Sequence, residues 1–180
     1  MTQLFLAKIS KCIAAAVSVV LLMAAASSCG PKPTPIVFVS DRDGNLGIYV
    51  VYPDGEGENN LIKSPDNQSL PVVSPDRKLV SFKSTTPDSE TIEVVNLIES
   101  SRQSTIREFD RYLTQTWSPD SKRIAYVGED STSKTIYISD LVNSDAMALT
   151  EIPGDEVGDW SLDGKSIIFT VFKGEYQGIY

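Results

Sequence analysis

The sequence contains no histidine among its 180 residues. Histidine is the usual general base that activates a serine or cysteine nucleophile, and it is the commonest metal ligand in proteins. Its absence removes Ser-His-Asp and Cys-His catalysis from these residues. We therefore expect a chain that is not an enzyme and that holds no cofactor and no metal.

Basic residues are also scarce. The 16 Lys and Arg residues stand against 24 Asp and Glu residues, which gives a net charge of −8. Lys8 and Lys11 lie in a segment that we expect to be removed, so the remaining chain carries −10. Because nucleic-acid binding depends on neutralising phosphates, and no basic stripe is visible, we expect no nucleic-acid partner.

The chain has no hydrophobic run long enough to cross a bilayer. Ile13–Ala26 is a 14-residue stretch in which only Ser18 is polar, whereas a membrane-spanning helix needs roughly 20 apolar residues. Lys8 and Lys11 precede this stretch, which is the order found in an export signal. We expect a signal peptide rather than a transmembrane anchor.

The small residues after this stretch lead to a cysteine. The segment Ala26–Gly30, with the sequence Ala-Ser-Ser-Cys-Gly, resembles the bacterial lipobox. The resemblance implies a lipoprotein signal peptide at 1–28, cleavage after Ser28, and attachment of fatty acid, including palmitate, at Cys29. An ordinary signal peptide followed by an incidental cysteine is the alternative.

Residues 29–35 form the expected tether, with the lipidated Cys29 followed by three prolines at alternate positions. Each proline fixes φ and disfavours a helical residue before it, so this spacer should be extended. Gly30, in place of an aspartate, is similar to lipoproteins sorted to the outer membrane. We expect an exported protein, lipid-anchored to the bacterial membrane, and in a Gram-negative cell to the outer membrane facing the periplasm.

A turn motif repeats three times along the chain. Val73–Asp76, Trp117–Asp120 and Trp160–Asp163 are separated by 44 and then 43 residues, which is the length of a propeller blade. Val73 and Leu162 depart from the Trp-Ser-Pro-Asp pattern. Apart from Cys12 in the leader and Cys29, the chain has no cysteine, so the repeats must be stabilised by packing without a disulfide.

Four columns of apolar residues keep the same spacing as the turns. Chance similarity in one motif would not extend through several strands, so the columns are strong evidence for a repeat. Their members are Phe38, Phe82, Tyr126 and Phe169; Ile36, Val80, Ile124 and Ile167; Ile48, Ile92, Ile136 and Ile179; and Ile62, Ile106 and Leu149.

Each repeat supplies four short strands joined by Gly- and Asp-rich turns such as Asp41–Asn45. The middle strands are apolar on both faces, as in Ile36-Val37-Phe38, so only stacking of one unit on the next buries both faces. We predict an all-β fold of β-propeller blades, each a four-stranded antiparallel meander. The blades are expected at 36–70, 71–114, 115–157 and, in part, 158–180.

The 152 residues from Cys29 to Tyr180 hold about three and a half blades at this spacing, whereas closed rings have about 4–8. We expect an incomplete ring. The sequence is then a fragment of a longer reading frame, or a split blade is completed by another chain. We favour the fragment, because an ending within a strand would leave an unpaired edge.

The repeated residues resemble those of a known family. The Trp-Ser-Pro-Asp turn at Trp117, the Ile124-Ala125-Tyr126 strand and the stretch from Ser40 to Val50 are similar to the repeats of TolB-type propellers, which also occur in prolyl-oligopeptidase-like enzymes. The resemblance covers about Ile36 to Tyr180 and implies the propeller fold, and the role of those proteins is not carried over to this chain.

Several polar residues invite a functional interpretation. Asp41, Asp43 and Asn45 resemble the start of a calcium loop, but Tyr52 stands where the final acidic ligand belongs, so a hairpin turn is favoured. The repeated Ser-Pro-Asp residues indicate turn chemistry rather than nucleophilic catalysis, because no base is available.

Trp117 and Trp160 could stack against a ligand, but their shared position in the repeat favours core packing. The acidic residues Asp155, Glu156 and Asp159 could bind a cation or a basic partner, and a solvated loop is more common. Cys29 is thus the single site residue that we predict.

Two functions follow. The first is a membrane-tethered, non-catalytic propeller that binds a protein, peptide or glycan of the cell envelope. The alternative is the N-terminal propeller part of a longer prolyl-oligopeptidase-like hydrolase with its catalytic domain beyond residue 180, although no Gly-x-Ser-x-Gly elbow occurs in the chain.

Overall fold

A computed structural model describes residues 33–129, 134–142, 146–149, 156–172 and 177–180. The predicted signal peptide at 1–28, Cys29 and the beginning of the 29–35 tether lie outside these ranges. Residues Thr34–Tyr180 form one compact unit. Within the described ranges, no helix is long and apolar enough to cross a membrane.

The described residues form an all-β structure of four antiparallel sheets, in which consecutive strands are neighbours. Sheet 1 contains β1 (Ile36–Ser40), β2 (Gly47–Val51) and β3 (Asn59–Asn60); sheet 2 contains β4 (Asn67–Val73), β5 (Leu79–Thr85), β6 (Glu90–Asn96) and β7 (Arg102–Phe109); sheet 3 contains β8 (Arg111–Trp117), β9 (Arg123–Glu129), β10 (Lys134–Asp140) and β11 (Ala146–Ala148); sheet 4 contains β12 (Glu156–Trp160), β13 (Ile167–Val171) and β14 (Gly178–Ile179). Sheets 2 and 3 confirm the predicted four-stranded antiparallel meander, and sheets 1 and 4 are meanders of three strands.

Alternation along the strands gives every sheet two apolar faces. In sheet 2, Val80 pairs with Val95, while the next residue along β5, Ser81, pairs with Val94 on the opposite face. We call the face that bears Phe82 and its column the front, and the face that bears Ile92 and its column the back. The same division holds in the other three sheets because the pairing register repeats.

Each sheet stacks on the next, as the repeat predicted, and the structure shows that they pack back to front. Three separate cores result, and each joins the back of one sheet to the front of the next. Their buried residues are Ile48, Val50, Leu61, Val80, Phe82, Val95 and Leu97 between sheets 1 and 2; Ile92, Val94, Ile106, Trp117, Ile124, Tyr126 and Tyr137 between sheets 2 and 3; and Ala125, Val127, Ile136, Val157, Trp160, Phe169 and Val171 between sheets 3 and 4.

Two faces, the front of sheet 1 and the back of sheet 4, remain exposed. Ile92 and Ile136, on the backs of sheets 2 and 3, are 0% exposed. Ile179, in the same column on the back of sheet 4, is 72% exposed. Ile36 on the front of sheet 1 is 53% exposed, whereas Val80 is fully buried. No sheet of the described chain covers these two faces, which agrees with the predicted incomplete ring.

The fourth column is displaced by one residue in sheet 1. The carbonyl oxygen of Ile48 accepts a hydrogen bond from the amide of Leu61 at 2.8 Å, and Ile136 and Leu149 make the same 2.8 Å bond. Leu61 is therefore the buried counterpart of Ile106, and the predicted Ile62 is only half-buried. The sequence spacing missed this because Leu61 follows its partner Ile48 by 13 residues, whereas Ile106 follows its partner Ile92 by 14.

Candidate functional site: the first strands and their turns

The serine and aspartate of each repeated turn bond to one another. Ser118 Oγ donates to Asp120 Oδ1 at 2.6 Å and accepts from the amide of Arg123 at 2.9 Å. Asp120 Oδ1 also accepts from the amide of Lys122 at 3.1 Å. The same bonds form in the turns at Ser74 and Ser161, with Oγ–Oδ1 distances of 2.6 and 2.7 Å.

These hydrogen bonds stabilise the charged form of the aspartates. The bond from Ser118 holds the pKa of Asp120 below its usual value, and the bond from Ser161 does the same for Asp163. At Asp76, partial burial acts to raise the pKa. The hydrogen bonds from Ser74 and the Lys78 amide, together with the charge of Lys78, outweigh this effect, so the pKa is lowered. The hydroxyls are thus donors to a carboxylate within the turn, in agreement with the turn interpretation.

Both tryptophans lie in the cores between sheets and bond across them. Trp117 Nε1 donates to the carbonyl oxygen of Val72 at 3.0 Å, and Trp160 Nε1 donates to that of Thr116 at 3.4 Å. The guanidinium of Arg123 lies 4.6 Å from the centre of the Trp160 ring. The two rings are buried and hold the first strand of one sheet to that of the preceding sheet, as the core-packing interpretation predicted.

Further side chains join the first strands of adjacent sheets. Gln115 Nε2 donates to the carbonyl oxygen of Leu70 at 2.8 Å, and Thr116 Oγ1 donates to Asp159 Oδ1 at 3.4 Å. Asp159, part of the predicted acidic cluster, therefore has a structural partner, whereas Asp155 lies outside the described residues. Sequence analysis missed Gln115 because its partner is 45 residues away and no other repeat has glutamine there.

The loop Asp41–Asn45 ties sheet 1 to the segment that leads into β4. Asn45 Nδ2 donates to the carbonyl oxygens of Ser64 at 3.1 Å and Asp66 at 2.9 Å. Gly44 adopts a φ of +99° at the turn, a region that glycine tolerates best. The favoured hairpin interpretation agrees with this geometry, and the described residues contain no group of three His, Cys, Asp or Glu residues placed to hold a metal ion.

Arg42 in this loop covers the front of sheet 1. Its guanidinium lies 5.4 Å from the ring centre of Phe38 and 4.7 Å from that of Tyr49. It also forms an ion pair with Glu58. Because a guanidinium attracts the face of an aromatic ring, Arg42 shields the two rings that a preceding sheet would otherwise cover.

Glu93 is a buried carboxyl that sequence analysis did not identify. It lies on the front of sheet 2, where Arg102 Nε approaches Glu93 Oε2 to 2.8 Å and Thr105 Oγ1 donates to the same oxygen at 3.2 Å. Burial raises the pKa of Glu93, and the charge of Arg102 opposes this rise. With both partners inside sheet 2, Glu93 has a structural role.

A pocket of about 310 Å³ lies in sheet 4, beside the turn that joins β12 and β13. It is lined by Asp159–Ser161 at the end of β12, by Ser166–Ile168 at the start of β13, and by Tyr180. The volume lies at the lower end of the roughly 300–1,000 Å³ typical of ligand sites. Most of the lining residues are apolar or carry a hydroxyl group, and Asp159 is the acidic residue among them.

Known proteins share this architecture. The chain is 34% identical to the Tol-Pal system protein TolB of Alcanivorax borkumensis over 68 residues, which are 37% of this chain and 16% of that protein. It is 37% identical to the uncharacterized peptidase YuxL of Bacillus subtilis over 65 residues, which are 35% of this chain and 10% of the relative.

The crystal structure of TolB from Acinetobacter baumannii has the same fold, with a TM-score of 0.65 at 24% identity over 84% of this chain and 39% of that one. The present chain therefore spans less than half the length of these three proteins. The family model described as the TolB beta propeller domain matches residues 1–180. This match and the four meander sheets show that the chain belongs to the TolB β-propeller domain family.

Proposed function

We propose that this protein is a lipid-anchored, non-catalytic propeller of the bacterial cell envelope that binds a protein, peptide or glycan partner. The observation that carries the binding role is the open pocket beside Trp160, on a scaffold whose repeated Ser and Asp side chains are already engaged in turns. The Ala26–Gly30 lipobox supports the anchor. The likeness to TolB proteins supports an envelope location.

Lipid attachment is tested by metabolic labelling with a radioactive fatty acid. The unaltered protein and the control Cys12→Ala are expected to take up label, because Cys12 lies in the removed leader. Cys29→Ala is expected to lose it. Equal labelling of Cys29→Ala would show that the cysteine is not the anchor.

Membrane sorting gives a second readout of the same anchor. In a Gram-negative host the protein is expected in the outer-membrane fraction of a density gradient, and Gly30→Asp is expected to move it to the inner membrane. A protein that stays in the soluble periplasmic fraction would contradict the tethered role.

A hydrolase is the second candidate, favoured by the identity to the peptidase of Bacillus subtilis. In that case a catalytic domain would be joined to the propeller. The two functions are distinguished by treating the intact protein from its native cells with a fluorophosphonate, which labels activated serines. The binding function predicts no labelling, and labelling blocked by heat denaturation would favour the hydrolase.

A further inference from the structure

We propose that one end of sheets 2 and 3 docks on the phospholipid surface to which the chain is anchored. This end is formed by the turns that follow β4, β6, β8 and β10, and we call it the turn end. Its exposed side chains include Lys78, Ile98, Lys122 and Val142. The inference rests on the lipid anchor of the proposed function and deepens it by naming the surface that faces the membrane.

Two exposed aliphatic residues hold the same place in neighbouring sheets. Ile98 follows β6 and Val142 follows β10, 44 residues later, and they are 76% and 84% exposed. The residue before each packs inward: Leu97 is buried between sheets 1 and 2, and Leu141 packs against the core between sheets 2 and 3. Sheets 2 and 3 each have a sheet on both faces, so this exposure is independent of the outer faces of sheets 1 and 4.

A lysine lies beside each of these aliphatic residues. The amide of Leu97 donates to the carbonyl oxygen of Lys78 at 2.9 Å, and the amide of Leu141 donates to that of Lys122 at 3.0 Å. Both lysines are exposed. Lys78 Nζ lies 4.0 Å from Asp76 Oδ2, and the lysine side chain stays 71% exposed. Each sheet thus presents an aliphatic side chain and an ammonium together, a combination that suits the lipid headgroup region.

The two lysine–aliphatic pairs lie on one continuous surface. Consecutive strands of each sheet are antiparallel neighbours, so the turns that follow β4 and β6 lie at the same end of sheet 2, and those that follow β8 and β10 lie at the same end of sheet 3. The amide of Asp76 donates to Ser121 Oγ at 3.0 Å. This bond joins the turn after β4 to the turn after β8, so the same end of both sheets forms a single surface.

The tether enters sheet 1 at this end. Val37, at the start of β1, pairs with Val50, and both pack in the same core as Leu97. Cys29 precedes Ile36 by seven residues, which span at most about 25 Å when extended. A lipid on Cys29 therefore keeps the beginning of β1, and with it the turn end, within that distance of the membrane.

Acidic side chains also lie at the turn end, so net charge does not drive the docking. Asp54 and Glu56 are exposed in the turn after β2, and the exposed Glu99 follows Ile98. The aliphatic side chains supply the contact, because their burial in the interface is favourable. The lysines reach the phosphates that phospholipids carry in common.

The test places a nitroxide spin label at Ile98→Cys, Val142→Cys or Asp88→Cys of the lipidated chain, in vesicles of phosphatidylethanolamine and phosphatidylglycerol. Cys12 is removed with the leader and Cys29 carries the lipid, so the label attaches to the introduced cysteine. Asp88 is the control. It is exposed between β5 and β6, and the seven residues of β5 place it roughly 20 Å from the turn end.

Electron paramagnetic resonance measures how often each label collides with a nickel chelate, which stays in water. The labels that replace Ile98 and Val142 are expected to collide several-fold less often than the label that replaces Asp88. Lys78→Glu adds repulsion from lipid phosphates and should restore most of the collisions at Ile98→Cys. Lys63→Glu is the matched control, because this exposed lysine lies between β3 and β4 at the opposite end, and it should change nothing.

Three outcomes would overturn the inference, and they separate it from the proposed function. If the chain takes up fatty acid but all three labels collide equally with the chelate, the docking surface is wrong and the anchor survives. If Ile98→Cys and Val142→Cys are equally protected in a Cys29→Ala chain kept in solution, a protein segment rather than a membrane covers the turn end. If the unaltered chain takes up no fatty acid, the proposed anchor fails and the docking surface fails with it.

Discussion

Ser118 and Ser161 hold the same place in successive repeats but differ in burial. Ser118 is 0% exposed, and its hydroxyl serves Asp120 and the Arg123 amide. Ser118→Ala removes both bonds in a buried site, so a loss of about 1–3 kcal/mol in the free energy of unfolding is expected. Ser161→Ala is the control, because water replaces the lost bonds at that half-buried position; it should cost less than about 1 kcal/mol. Urea unfolding measures both, and equal losses would contradict the turn account.

Asp120 gives the structure a pH dependence of known sign. The hydrogen bond from Ser118 lowers the folded-state pKa of Asp120, so the aspartate stabilises the fold above the unfolded value of about 3.9. That contribution is lost as the pH falls through the lowered folded-state value.

Asp120→Asn should therefore melt a few degrees below the unaltered chain near pH 7, since Asp120 is exposed and its contribution is small. The difference in melting temperature should shrink towards pH 2. The melting temperature of Asp163→Asn is expected to differ from that of the unaltered chain in the same direction and with the same dependence on pH. A difference that stays constant with pH would show that the charge of Asp120 is not involved.

For single residues, the sequence predicted the structural roles of those that recur from repeat to repeat. It missed the roles of those that occur in one repeat only. The Ser, Asp and Trp residues of the turn recur at a spacing of 43 or 44 residues, so their structural role could be predicted from the sequence. Gln115 and Glu93 have no like residue at the matching positions of the other repeats. Their burial depends on a neighbouring sheet or strand, so no local pattern in the sequence indicated their roles.

Whole strands depend on the sheets beside them. Ile92 and Ile179 belong to one column, but the first is fully buried between sheets 2 and 3 and the second is 72% exposed. Ile92→Ala should cost about 2–5 kcal/mol by leaving a cavity. Ile179→Ala should change stability by no more than about 0.5 kcal/mol. Chemical denaturation measures both, and similar costs would contradict the back-to-front arrangement.

Strand order and facing were predictable from the columns, because alternation assigns each residue to one face. The positions and facing of the fourth strands were less predictable. β3 and β11 are short. Because the step from Ile48 to its partner is one residue shorter than the step from Ile92 to Ile106, Leu61 rather than Ile62 enters the core. Spacing alone does not reveal which side of such a short strand points inward.

At the scale of the whole molecule, the described residues combine a strongly repeated scaffold with two faces that none of the four sheets covers. Composition and periodicity predicted the class of fold, since an apolar column on both sides of each middle strand requires a neighbour on both sides. The candidate pocket was not predicted. It is lined by residues of three different segments, Asp159–Ser161, Ser166–Ile168 and Tyr180, which only the spatial arrangement brings together.

Hydrogen–deuterium exchange of the intact chain, followed by mass spectrometry, tests the central claim that each blade is stabilised by the sheets on both of its faces. Local opening requires less free energy where fewer apolar contacts are broken. Amides of β5, β6, β9 and β10 are therefore expected to exchange most slowly, and those of β1 and β14 much faster. If β1 and β14 were protected as strongly as β5 and β6, the claim that their outer faces are uncovered would be wrong.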